Sequence, residues 1–243
     1  MARHDDIDFV TFTGSTEVGK RVQKAAAERT LKGVLELGVK RPRIVFEDAD
    51  LERAATFVLK AITQNGGQTC SAGSDLLVQR SICDSFVKTV TERFAQSPAG
   101  TSAMDMDCGR LINADRQTRV QGFIDQARAS GIPVPAGGFD VAPTMFGPVL
   151  AVIPFDDEED AITLANAPDS ALLAGIWTRD GGRQVRVAKR MQCGQGYINC
   201  CGAGAGVELP FGGVKKSGHG RESGVLALEE FCNVKTVVQY HGK

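Results

Sequence analysis

The stretch VLAVIPFDDEEDAITLANAPDSALLAGIWTRDGGRQVRVAKRMQCGQGYINC, residues 149–200, decides the fold. Val149 to Ile153 reads as a strand and Asp157 to Asn166 as a helix. Leu172 to Trp177 is a second strand, Gly182 to Met191 a second helix, and Tyr197 to Cys200 a third strand. Short elements alternating in this way specify an α/β sheet of parallel strands joined by crossover helices.

The same alternation extends upstream. Ile7 to Phe12 is an apolar β-like run, followed by the turn Thr13-Gly14-Ser15-Thr16 and a helical stretch from Glu17 to Arg29. Leu31 to Leu37 and Arg43 to Phe46 read as strands, and Asp48 or Asp50 can cap the next helix. In that helix Leu51, Ala54, Ala55, Val58, Leu59 and Ile62 recur at helical spacing and form one apolar stripe. Gly66-Gly67 ends it. Leu76 to Gln79 is a strand, and Asp84 caps a helix carrying Phe86, Val87, Val90 and Phe94. Ala114 to Arg128 is helical, and Gly131 to Pro148 is loop. Beyond the opening stretch lie a glycine-rich segment, Gly202 to Gly224, a short helix, and a β-branched tail, Val234 to Val238. An isolated terminal strand needs a sheet to join, its own or a partner's.

The 243 residues carry 28 Lys+Arg against 29 Asp+Glu, and 42% are hydrophobic. That composition suits a globular chain of one or two domains. Near-neutral charge argues against a nucleic-acid binder, which shows a basic stripe. No apolar run reaches the roughly 18–20 residues of a membrane helix, and the first residues carry no signal-like apolar stretch. The seven cysteines include no CxxC pair. They therefore suggest neither a zinc ribbon nor a thioredoxin motif, and read as reduced thiols in a cytoplasmic protein without a metal site.

Three features can carry chemistry. The strand–turn–helix Phe12 to Lys20 offers free backbone N–H groups and a helix dipole to a phosphate. Its Gly14, Gly19 and Lys20 have P-loop spacing, but Arg21 stands where Ser or Thr would hold Mg²⁺; an ordinary βα turn is the plain alternative. Cys70 lies in Asn65-Gly66-Gly67-Gln68-Thr69-Cys70-Ser71-Ala72-Gly73, where small neighbours let a substrate reach the sulfur and free amides can stabilise an anion; the alternative is a passive loop cysteine. Glu36 interrupts the apolar run Leu31 to Leu37, and desolvation there raises a carboxyl pKa toward the range of a general base; the alternative is an edge-strand Glu facing water.

Together the three resemble the aldehyde dehydrogenase superfamily. Phe12 to Gly19 is similar to its cofactor-phosphate turn, and Leu35 to Pro42 to its Glu-Leu-Gly-Gly-Lys signature. Gln64 to Cys70 is similar to its catalytic-cysteine signature, and the 34 residues from Glu36 to Cys70 fit the family's separation. Phe146 to Leu150 resembles the Phe-Gly-Pro segment beside the nicotinamide, and Leu209 to Glu222 the late glycine-rich signature. The family chain is about twice this length, and the resemblance is to its second half.

The resemblance implies an aldehyde-dehydrogenase-like catalytic domain at 39–212, a remnant of a Rossmann-like cofactor domain at 1–38, and a return segment with an oligomerisation strand at 213–243. It implies oxidation of an aldehyde to a carboxylic acid with NAD or NADP. Cys70 would be the nucleophile and Glu36 the base. Gly14, Ser15, Thr16, Gly19, Leu37 and Phe146 would contact the cofactor, and Phe211 would line the aldehyde pocket. It also implies a homo-oligomer joined through the terminal strand. Only two cofactor-domain strands are expected, with their edges exposed. Val39 replaces the second glycine of the Glu-Leu-Gly-Gly-Lys signature, and Thr144 replaces an acidic residue expected before Phe146; both predict a weaker hold on the dinucleotide. Two other readings compete. One is a non-catalytic fragment that acts through subunit association. The other is a cofactor-free thiol hydrolase, for which nothing in the sequence ties His219 to Cys70.

Overall fold

The computed structural model describes residues 2–38, 41–97, 108, 111–135, 147–200 and 206–242. It opens with β1 (Phe9–Gly14), α1 (Thr16–Ala27), β2 (Lys32–Leu37), β3 (Pro42–Val45), α2 (Leu51–Thr63), β4 (Asp75–Gln79) and α3 (Cys83–Gln96). Then follow α4 (Ala114–Ala129), β5 (Ala151–Phe155), α5 (Glu158–Asn166), β6 (Ser170–Ala171), β7 (Leu173–Trp177), α6 (Gly181–Arg190) and β8 (Gln195–Ile198). The chain closes with β9 (Val214–Lys215), β10 (Gly218–His219) and α7 (Gly224–Glu230).

The alternation of residues 149–200 produces the expected parallel sheet. Five strands lie in the order β5-β4-β3-β7-β8, and every pairing is parallel. The chain winds outward from β3 through β4 to β5, then returns to the other side of β3 as β7. Strand periodicity sends alternate side chains to opposite faces. Val45, Leu76, Val78 and Trp177 face one layer and pack with Ala54, Ala55 and Val58 of α2 and with Phe86 and Val90 of α3. Ile44, Leu77, Ile176 and Phe155 face the other and pack with Ala161, Ile162 and Ala165 of α5 and with Val187 of α6. Each large apolar side chain fully buried in these layers contributes about 1.5–3 kcal/mol. This two-sided cover explains why β7 reads as an unbroken apolar run. Asp50, not Asp48, caps α2, accepting from the Arg53 N–H at 3.1 Å.

A second sheet has the order β1-β2-β10. β1 and β2 are parallel, whereas β10 is antiparallel to β2. Here the expectation of two strands with bare edges is corrected, because β10 covers one side of β2. Its two residues have no period to read in the sequence. Gly218 makes the pairing possible: its φ is +114°, and a Cβ there would lie 1.8 Å from the Leu35 carbonyl oxygen. Two further expectations change. Asp84 does not cap α3; Ile82 holds the cap position and Asp84 lies in the first turn. The run Val234 to Val238 joins no strand among the described residues, and Val234, Val237 and Val238 are at least 79% exposed. Within the single chain that segment pairs with no sheet edge among the described residues. No helix among the described residues is long and apolar enough to cross a membrane.

Candidate active site

Four strand ends converge. Glu36 lies near the carboxyl end of β2. Arg41, the Cys70 loop and Gly147-Pro148 lie at the amino ends of β3, β4 and β5. The Cys70 loop begins where α2 stops at Thr63. Asn65, Gly66 and Gly67 then take left-handed φ values of 53°, 63° and 69°, a conformation that glycine tolerates best. A Cβ at Gly67 would lie 2.2 Å from the Gly147 carbonyl carbon. The loop therefore passes directly under the segment that leads into β5. It closes as a turn in which the Ala72 N–H donates to the Thr69 carbonyl at 3.2 Å, while the Gly73 N–H donates to Ala61 at 3.1 Å. Cys70 rides on this turn, half-buried, with the Thr69 and Ser71 hydroxyls 3.2 Å apart beside it.

Burial pushes the Cys70 thiol above its ordinary pKa, and the Glu36 charge adds to the rise. Arg41 and the Thr69 hydroxyl act in the opposite direction. Glu36 is not an edge residue facing water. It is 4% exposed, flanked by Thr13 of β1 and Gly218 of β10, and among the described residues neither carboxyl oxygen has a well-formed hydrogen bond. Its pKa rises to about 7, first through burial and then through the charge of Glu222, with Arg221 and the Gly213 backbone opposing. A carboxyl poised there changes protonation state at neutral pH, as a general base requires.

The β1–α1 turn is built as the sequence predicts. Ser15 caps α1, its hydroxyl accepting from the Val18 N–H at 3.3 Å. The Gly19 N–H donates to the Ser15 carbonyl at 2.9 Å, so Thr16 and Glu17 are the first-turn residues whose amides face outward. Gly19 and Leu37 pack on each other: a Cβ at Gly19 would lie 2.3 Å from Leu37 Cδ2. Phe211 exchanges two backbone hydrogen bonds with Glu222, at 2.6 and 2.7 Å. This brings Phe211, the residue expected to line the aldehyde pocket, onto the same return segment that faces Glu36. His219 turns away from the site and contacts Gln23 at 2.9 Å. Phe146, Val39 and Thr144 lie outside the described residues.

Sequence reasoning missed Arg41, Arg43, Asp75, Arg221 and Glu222. Arg41, Arg43 and Asp75 are buried with Glu36. Arg43 interrupts the apolar run of β3 just as Glu36 interrupts that of β2, so the signal that singled out one was available for the other.

A sequence profile described as the aldehyde dehydrogenase family matches residues 1–237. The cytosolic aldehyde dehydrogenase 1 of Elephantulus edwardii is 37% identical over 261 residues, covering 98% of this chain and 52% of that protein. The chain thus spans about half the length of the curated relatives it matches. A Burkholderia cenocepacia protein assigned as an aldehyde dehydrogenase superimposes with a TM-score of 0.95 at 47% identity, over 99% of this chain and 56% of that one. The betaine aldehyde dehydrogenase of Staphylococcus aureus, solved with NAD⁺, gives a TM-score of 0.89 at 32% identity, over 100% of this chain and 55% of that one.

Proposed function

The chain belongs to the aldehyde dehydrogenase family, and from that premise we propose that it carries the family's thiol chemistry, oxidising an aldehyde to a carboxylic acid with NAD or NADP. The observation that carries this reading is the buried Glu36 carboxyl, whose charge reaches Cys70. Cys70 Sγ, as thiolate, attacks the aldehyde carbon and forms a thiohemiacetal. When bound, the nicotinamide ring supplies the hydride acceptor that converts this adduct to a thioester. Glu36 then takes a proton from water, the water oxygen attacks the thioester carbon, and the Cys70 thiolate leaves.

The residues present suit a dinucleotide at one end. The outward amides of Thr16 and Glu17 head a 12-residue helix, and a helix N-terminus attracts phosphate. Gly14 and Ser15 would approach the phosphates by backbone, while Gly19 and Leu37 hold α1 against β2 from behind. Phe146 would pack at the nicotinamide, and Phe211 would face the aldehyde. Val39 and Thr144 predict a weaker hold on the cofactor.

The test is a stopped-flow pulse of aldehyde and NAD⁺ with NADH absorbance as the readout. A burst that disappears in Cys70→Ala is the expected result. A burst of equal size in that variant would remove Cys70 from the chemistry.

A second reading, a chain that acts through association with further copies, has its own support. Val234, Val237, Val238 and Tyr240 are at least 79% exposed on a segment with no partner strand among the described residues. An exposed β-branched run of this kind is a template for pairing. The two readings are compatible if assembly completes the site.

A further inference from the structure

The four charged side chains buried among the described residues are Glu36, Arg41, Arg43 and Asp75. Two of them grip the turn that carries Cys70. Arg41 is 1% exposed and donates from Nη1 to the Ala72 carbonyl at 2.6 Å, while its Nε and Nη2 have no hydrogen-bond partner among the described residues. Arg43 donates from Nη2 to the adjacent Ser71 carbonyl at 3.3 Å. Glycines leave room for this pair. A Cβ at Gly73 would lie 2.9 Å from Arg43 Nε, and one at Gly175 would lie 2.7 Å from Arg43 Cδ.

Buried charges need compensation. Among the described residues the charged groups set against Arg41 are Arg43, Asp75 and Cys70, while Glu36 acts on Cys70. Positive charge is therefore in excess beneath the turn, and a thiolate at Cys70 would offset it. Arg41 feels Cys70 more strongly than it feels either Arg43 or Asp75. Burial lowers its own pKa only to about 10, so it stays charged at neutral pH. Its burial also keeps it out of reach of a substrate.

We propose that Arg41 is a positioning residue for the nucleophile: it pins the 69–72 turn through the Ala72 carbonyl and supplies the positive charge against which the Cys70 thiolate forms. This deepens the proposed function and rests on Cys70 as its nucleophile. The groups facing Cys70 are Arg41, Glu36 and the Thr69 hydroxyl; those facing Arg41 are Cys70, Arg43 and Asp75.

The experiment follows alkylation of Cys70 by iodoacetamide in the full chain from pH 7 to 11.5. Peptide mass spectrometry reads each site, with Cys83 and Cys193 as internal references. Arg41→Met should raise the midpoint of the Cys70 profile by about one pH unit, a roughly tenfold loss of rate at pH 8. Arg41→Lys should keep the midpoint near that of the wild type. Asp75→Asn, which removes an anion facing Arg41, should lower it. An arginine that only braces the turn would change the rate and leave the midpoint in place. A folded Arg41→Met chain with an unmoved midpoint overturns the proposal. Should that variant not fold, an unmoved or raised midpoint in Asp75→Asn overturns it instead. Failure of the parent reading looks different: wild-type Cys70 would form no acyl adduct with aldehyde and NAD⁺, while the midpoint shifts still supported the role of Arg41.

Discussion

Glu36→Gln separates what a buried carboxyl costs the fold from what it does for the chemistry. The wild-type carboxyl is 4% exposed and has its pKa raised from an ordinary 4.5 to about 7. Between those values the folded chain keeps a proton that the unfolded chain has released. The folded state binds more protons there, so its stability falls as pH rises through the window. At about 1.4 kcal/mol per pH unit, the loss reaches about 3 kcal/mol once the pH exceeds 7. Glutamine has no proton to lose, so Glu36→Gln should show no such decline from this position. Any cost of burying its amide is the same at every pH. Urea unfolding by circular dichroism at pH 4.5, 6 and 8 measures the difference, with the variant gaining about 3 kcal/mol on the wild type across the range. Its NADH burst should survive while steady-state turnover falls about 10²-fold or more, because hydrolysis loses its base. A stability difference that stays flat from pH 4.5 to 8 would refute the claim that burial sets the Glu36 pKa.

Other expectations are local. Gly67→Ala combines a left-handed backbone with a Cβ set 2.2 Å from the Gly147 carbonyl carbon, and should cost about 2–4 kcal/mol in thermal unfolding analysed at constant pH; a loss under about 0.5 kcal/mol would contradict the close approach. Gly19→Ala drives a Cβ to 2.3 Å from Leu37 Cδ2 and should cost about 1–3 kcal/mol. Leu37→Ala in the same chain should restore part of that, and strict additivity in the double-mutant cycle would exclude the contact. Truncation after Asn233 removes the exposed tail and should reduce the oligomeric state seen by light scattering, whereas an unchanged mass would place the interface elsewhere.

The sequence made the larger sheet legible because its apolar strands alternate with helices, several of which are capped by side chains. Asp157 and Asp180 both accept first-turn N–H groups, as such residues should at helix starts. Boundaries drifted where a run continues past its pairing. Val149 reads as strand, but β5 pairs only from Ala151, opposite Asp75. The small sheet was half legible. β1 and β2 announce themselves by hydrophobicity, whereas β10 is two residues long and exists because Gly218 permits a 1.8 Å approach that any side chain would block. Cys70 and Glu36 stood out as a reactive type in an unusual setting. Arg41 did not, because a cationic residue beside a proline reads as surface until the Ala72 carbonyl is seen to receive it.

The depth of Glu36 depends on residues far along the chain. β2 alone would leave this side chain on a strand edge with a near-ordinary pKa. Its burial comes from β1 on one side and from the return segment on the other. A Cβ at Gly212 would lie 2.8 Å from Glu36 Oε1. Glu222 raises the carboxyl pKa, while Arg221 and Gly213 restrain it. Thr11 donates to Glu222 Oε1 at 3.4 Å, and Arg221 donates to the carbonyls of Gly213 and Gly220 at 3.1 and 2.6 Å. The segment 211–222 is thus held as a unit, through the Phe211–Glu222 pair, at a fixed distance from the carboxyl. Loosening it would admit water to Glu36, lower its pKa toward the usual carboxylate value, and weaken it as a base at the same time. Folding of the return segment and poise of the base are therefore one event. A glycine-rich stretch is what lets a backbone come close enough to bury a carboxyl.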